Sequence, residues 1–247
     1  MRRIVFFVGP LLSLCLSQST IGENPNNSPA YHFRSSNDLV KKAIHTSNLP
    51  TPEIFDSLRL LLPCKGVPVP TRASRLPNAP RDYRSGVHRG IDFFANWGTS
   101  IWAPSDGEVI RADHHYEEIP AQFRVDLLNK SEKVGQTPSD IFHHILLGKA
   151  IFLDHGFDLI PGYRVITIYA HMSSIDAKII PGAIVQRGQF LGRTGNTGTK
   201  DSTLGTRKGA HLHWELILQD ANDEYYMGQD FAYEDLYRIL NNAFVIK

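Results

Sequence analysis

Cysteine is scarce in this chain, with 2 in 247 residues, Cys15 and Cys64. That number allows one intramolecular disulfide at most, and none if Cys15 leaves with an N-terminal segment. The fold is therefore expected to hold by burial alone, and Cys64, beside Leu61, Leu62 and Pro63, reads as a small buried hydrophobe. An excess of one charge is missing too. Lys and Arg number 26 against 25 Asp and Glu, a formal net charge of +1, which argues against a nucleic-acid surface. Long apolar runs are also lacking: the stretch from Ile4 to Leu16 is too short for a comfortable membrane span. Preceded by Arg2 and Arg3, it reads as a secretory signal over residues 1–17, giving an exported protein with no stable membrane insertion after cleavage. Loss of the two arginines takes the formal charge from +1 to −1. Cys15 raises lipoprotein processing as an alternative, against which Leu14 stands where a small residue is expected.

What is present, 42% apolar and 21% charged residues, suffices for one substantial core. Residues 18–35, rich in Ser, Asn, Pro and Gly, read as a flexible lead. Residues 36–65 read as a helical segment in two pieces, broken at Pro50 and Pro52, with Ile54, Leu58, Leu61 and Leu62 as the second apolar stripe packing on the main domain. From residue 66 to 230 the pattern is short apolar strands between Gly, Pro and Asp turns: 90–95, 100–102, 108–112, 150–153, 164–171 and 211–218. This predicts a mainly β, antiparallel domain. It is interrupted at 114–149 by a helical insertion, in which Ile119, Phe123, Leu127 and Leu128 have helical spacing and Thr137-Pro138-Ser139-Asp140 reads as a capped helix start. Such an insertion is expected to pack beside the groove. Residues 231–247 supply a C-terminal helix, with Leu236, Ile239, Leu240 and Phe244 on one side.

The residues that carry chemistry are histidines and an aspartate in three separated strands. Alternation along a strand puts His211 and His213 on one face with Leu212 on the other, and the same parity puts His88 with Asp92. Catalytic zinc takes three protein ligands from His, Asp or Glu and keeps a fourth position for water. His88, Asp92 and one of the His211/His213 pair meet that requirement. His171 adds a further imidazole, able to move protons near neutrality. Other histidines read differently: His114, His115, His143 and His144 as surface residues, and His155 as part of a turn. The loop 193–209 lacks the Lys-Ser/Thr and helix of a P-loop and reads as a mobile groove wall.

His88-Arg89-Gly90-Ile91-Asp92-Phe93, Ala103-Pro104-Ser105-Asp106-Gly107-Glu108-Val109, Ile168-Tyr169-Ala170-His171-Met172-Ser173-Ser174, Gly195-Asn196-Thr197-Gly198 and His211-Leu212-His213-Trp214-Glu215, in this order, resemble the M23 zinc metallopeptidases of the lysostaphin/LytM type. The resemblance spans roughly 86–218. It implies one zinc per chain on His88, Asp92 and His213, with His171 and His211 flanking the reacting water and carbonyl. It also implies a monomeric endopeptidase acting on peptidoglycan peptides in the periplasm or cell envelope. An inert LytM-type domain that binds the wall or activates an amidase is the alternative. Latent members block the metal with an upstream Asn, but the surroundings of Asn78 do not match that pattern.

Overall fold

A computed structural model describes residues 49–245. The expected signal 1–17, the lead 18–35 and the first helical piece lie outside the described residues. In chain order the strands are β1 (Leu60–Leu61), β2 (Pro80–Arg81), β3 (Gly86–Val87), β4 (Ile91–Phe94), β5 (Ser100–Trp102), β6 (Gly107–Ala112) and β7 (Ile151–Asp154). They continue as β8 (Arg164–Ala170), β9 (Met172–Ile175), β10 (Ile184–Val185), β11 (Phe190–Thr194), β12 (His211–Gln219), β13 (Glu224–Tyr226) and β14 (Phe244–Val245). The longer helices are α1 (Ala121–Val134) and α2 (Tyr233–Ala243). No described helix is long and apolar enough to cross a membrane.

Seven strands form the main antiparallel sheet, in the order β10-β6-β7-β8-β12-β13, with β4 also paired to β12. β8 and β12 are buried along almost their whole length, as sheets covered on both faces require. β12 is central: β8 runs along one edge, while β4 and then β13 share the other. A three-stranded sheet, β5-β11-β9, packs with it. The chain passes from the first sheet to the second between β8 and β9, at His171, which has φ 60. Left-handed backbone at a non-glycine residue costs about 1–3 kcal/mol and persists only where its surroundings hold it.

The antiparallel architecture, the insertion and the C-terminal helix are as expected, but the second piece of the N-terminal helix is not there. Its residues form one 3-10 turn, Pro52–Phe55, and then β1, which pairs in parallel with β14. A short helix is marginal in isolation, and here the ladder to β14 together with the Leu61 N–H bond to the Pro104 carbonyl (3.1 Å) outcompetes it. The segment still joins the core, burying Phe55, Leu58, Leu60 and Cys64. Burial pushes the Cys64 thiol up to about 12. Thr137 does not cap the insertion's second helix, which starts at Ser139 as a short α-turn and continues as a π-turn, Phe142–Leu146. Its hydroxyl instead donates to the Arg84 carbonyl.

Candidate metal centre and cleft

The register of β12 assembles the site. His213 sits directly opposite Asp92 on β4 and opposite Ala170 on β8, the residue before His171. His88, just before β4, reaches the same point. Its Nε2 is 2.9 Å from Asp92 Oδ1 and 3.0 Å from His213 Nδ1, and His213 Nδ1 is 2.9 Å from the same Asp92 oxygen. His88, Asp92 and His213 each bring one donor atom within 4.8 Å of the others. Gly90 lets the strands approach this closely, since a Cβ there would lie 2.4 Å from the Trp214 carbonyl.

The outward nitrogens decide what the inward ones can do. His88 Nδ1 donates to the Leu76 carbonyl at 2.8 Å, and His213 Nε2 donates to Glu215 at 2.8 Å. When both rings are neutral, two imidazole lone pairs and a carboxylate oxygen therefore converge on one point. Three lone pairs at about 3 Å repel unless a cation lies among them. A proton is one such cation: burial lowers the His213 pKa, but the hydrogen bonds and charges of Asp92 and Glu215 outweigh it and push His213 up to about 9. A divalent metal is another. Tetrahedral zinc, with ligands at about 2.0–2.2 Å, sets its donors roughly 3.3–3.6 Å apart, a few tenths of an ångström beyond the spacing found. Burial would raise the Asp92 pKa, but His88 and His213 hold it well below the usual carboxylate range. The three donors fit a zinc-type ion.

Behind His213 stands a buried charged chain whose roles the motifs alone did not reveal. Arg89 donates to Glu215 from Nε (3.1 Å) and Nη2 (2.8 Å), and its Nη1 lies 3.9 Å from Glu224. Glu215 is fully buried; burial raises its pKa, and Arg89 and His213 more than reverse that. A ligand imidazole held by a carboxylate is fixed in tautomer and orientation. The available signal was strand parity, which puts Glu215 on the His213 face.

His171 and His211 lie beside the donors without joining them. Their rings are 4.8 Å apart, and His171 is 5.6 Å from the His213 ring. Each anchors its Nδ1–H on a carbonyl, His171 on Thr197 (2.7 Å) and His211 on Gly209 (2.6 Å). Both Nε2 atoms are then lone-pair acceptors, His211 Nε2 lying 3.7 Å from Asp92 Oδ1. Burial lowers both pKa values, that of His171 well below its ordinary value with help from His211 and His213. The Phe94 ring stacks on His211 at 4.9 Å.

The donors open on a cleft of about 640 Å³, which His88, Asp92, His171, His211 and His213 line on one side. The opposite wall comes from α1, through Arg124, Val125 and Leu128, and from Gly198 to Leu204 of the loop. The insertion thus stands beside the groove. His143 is a correction: it is buried rather than on the surface, with Nδ1 donating to the Ser139 carbonyl at 2.7 Å, and burial and Arg89 push its pKa down to about 3. Within the insertion the π-turn carries it inward. His144 is exposed, as is His115, while His114 is half-buried and donates to the Ile179 carbonyl. His155 ties down the Pro104–Gly107 turn through the Asp106 carbonyl and bonds Thr167 at 2.7 Å. Asn78 is committed elsewhere. Its amide nitrogen donates to the Gly228 carbonyl (2.8 Å) and its oxygen accepts from the Tyr226 hydroxyl (2.8 Å).

Comparison with known proteins finds a peptidase family. Residues 133–224 match the model of peptidase family M23. The Vibrio cholerae peptidoglycan DD-endopeptidase ShyA is 27% identical over 140 residues, 57% of this chain and 22% of that protein. The chain spans about a fifth of the length of that curated relative. Among solved structures, the catalytic domain of lysostaphin from Staphylococcus simulans is 21% identical, covering 68% of this chain and 86% of its own with a TM-score of 0.34. A zinc-containing peptidase from Vibrio cholerae is 20% identical, covering 67% and 39% with a TM-score of 0.35. Similarity at that level adds nothing to what the sheet topology shows. His88 and Asp92 lie upstream of the matched residues, and the β4–β12 register is what unites them with His213.

Proposed function

We propose that this chain, whose residues 133–224 match the model of peptidase family M23, is an exported, zinc-dependent endopeptidase that hydrolyses peptide bonds in peptidoglycan as a monomer. The observation that carries the reading is the convergence of three lone pairs, from His88, Asp92 and His213, with two neutral imidazoles beside them. A complete donor set of this kind favours catalysis over a domain that only binds the wall. Zinc bound there would supply Lewis acidity, polarising the scissile carbonyl and making water acidic near neutrality.

The chain's own residues supply the rest. His171 and His211, each anchored at Nδ1, present Nε2 lone pairs to the reacting groups. One takes the proton of the attacking water and returns it to the leaving amine, which suits an imidazole working near neutral pH. The other can steady negative charge on the former carbonyl oxygen only once it carries a proton itself. The two rings therefore do not play the same part at the same moment. Glu215 holds His213 in one tautomer.

The test is digestion of purified sacculi by the zinc-loaded protein, with the released muropeptides identified by mass spectrometry. Release of peptide-cleaved fragments that stops on chelation and returns with zinc is the expected result. Zinc binding at one equivalent with intact sacculi would overturn peptidoglycan hydrolysis, leaving a wall-binding domain or a zinc peptidase acting on exported proteins. N-terminal sequencing of the exported protein should find a start near Gln18.

A further inference from the structure

The cleft carries three cations without a salt-bridge partner, beside one lining carboxylate, Asp201. Arg84, Arg124 and Lys200 all line it, and among the described residues none has a carboxylate within 4.0 Å. Arg81, the fourth cation of the cleft, differs, since its Nη2 lies 3.4 Å from Asp92. Arg124 uses only Nε, which donates to the Gly198 carbonyl at 3.3 Å. Its two terminal nitrogens have no acceptor among the described residues. Arg84 lays its guanidinium over the Phe142 ring at 4.9 Å and donates to the Val87 carbonyl. A partly buried guanidinium with no carboxylate in contact is unfavourable, and burial lowers the Arg124 pKa more than the charge of nearby Glu118 raises it. Such a fork is shaped for two parallel bonds to a carboxylate.

The position is as telling as the charge. The Thr197 carbonyl holds His171 and the next carbonyl, Gly198, holds Arg124. Successive residues are about 3.8 Å apart, so His171 and Arg124 are anchored on neighbouring peptide units of one loop. We propose that Arg124, flanked by Arg84 and Lys200, is a subsite for a carboxylate on the substrate, near the scissile bond. This rests on the reading of the cleft as a peptide-cleaving site, and deepens it by assigning an anionic substrate class.

Binding, rather than turnover, separates the two ideas. Capped alanine pentapeptides, in L and in D configuration, carry a single Glu or a single Gln at the second or fourth position and are titrated calorimetrically into the zinc-loaded protein. In at least one pair the Glu peptide should bind about tenfold tighter than its Gln twin. Arg124→Gln should bring that ratio close to one, and Arg124→Lys should restore part of it. Lys130→Gln removes the same charge from an exposed position of α1 outside the cleft and should keep the ratio. Equal affinities in every pair, no measurable binding of any peptide, an undiminished ratio in Arg124→Gln, or an equal loss in Lys130→Gln would overturn the subsite. Intact sacculi alongside a retained Glu preference would instead overturn the hydrolytic reading.

Discussion

The two sides of the cleft are built differently. On one side the donor atoms come from strands paired along their length, with His213 opposite Asp92 and the His171 corner beginning where β8 ends. On the other side, the insertion and the loop from Gly198 to Leu204 meet through side-chain bonds between residues far apart in sequence, such as Glu118 with Gly198 and Ser202 and Arg124 with Gly198. The sheet side fixes where the chemistry occurs. On the proposed function the wall side would govern what reaches it, and its Thr197 carbonyl holds His171, so damage to each should have a different signature.

The largest effect is expected on the sheet side. His213→Ala removes one of three donors and leaves Glu215 and Arg89 buried without the ring between them and Asp92, so zinc retention and turnover should both fall to background. Metal analysis of the purified variant checks it, and one retained zinc equivalent would refute the assignment of His213. His171→Ala should keep its zinc and lose about 10²–10⁴-fold in turnover, the usual worth of a positioned acid or base. Loss of metal from that variant would put His171 among the ligands instead.

A third effect tests the buried part of the insertion. His143 has its pKa pushed down to about 3 against an ordinary 6.5, so the folded state keeps it neutral. Its contribution is fully present above pH 6.5. As pH falls below 6.5 the unfolded chain binds a proton that the folded chain refuses, and stability is lost at about 1.4 kcal/mol per pH unit until pH nears 3. Denaturant titrations from pH 7 to 4.5 should show wild type losing more stability than His143→Gln, by up to about a hundredfold in the folding equilibrium. Parallel curves would mean that His143 is protonated without cost.

The same contrast explains what could be read from the sequence. Strand parity put His211 with His213, which β12 realises, and His88 with Asp92, although His88 lies outside the strand and reaches Asp92 from the segment before β4. Parity did not say whether His211 or His213 completes the donor set, because that depends on register across strands more than 100 residues apart in the chain. The 3.6-residue spacing gave α1 and α2. It misled at 52–62, where a partner strand, Leu60 pairing with Phe244, outcompeted local helix propensity. His143 was unreadable as buried because adjacent histidines in a helical stretch look alike until a π-turn determines which one faces inward. The brace on the His171 loop was equally invisible, since Glu118 and Gly198 belong to segments with no common periodicity.

That brace supplies the smallest effect and the sharpest comparison of the two sides. The Glu118 carboxylate accepts the Gly198 N–H at 2.8 Å and the Ser202 hydroxyl, and the carbonyl just before Gly198 is the one that orients His171. The loop has other supports: Thr197 Oγ1 accepts the Lys149 N–H at 2.9 Å, and Gly198, at φ +76, packs where a Cβ would stand 2.6 Å from the Leu146 carbonyl. Removing one support should therefore loosen the His171 ring without releasing it. Glu118→Ala is expected to keep full zinc content and lower kcat by about tenfold, less than the roughly hundredfold that a 1 Å misplacement can cost. Glu118→Gln keeps an acceptor oxygen and should recover most of the rate. In a His171→Ala background the Glu118→Ala penalty should vanish, because the ring it positions is gone; coupling of this kind is what a double-mutant cycle isolates. If the tenfold loss persisted without His171, Glu118 would be supporting the cleft wall in general, and the two sides would be coupled through some contact other than the Thr197 carbonyl.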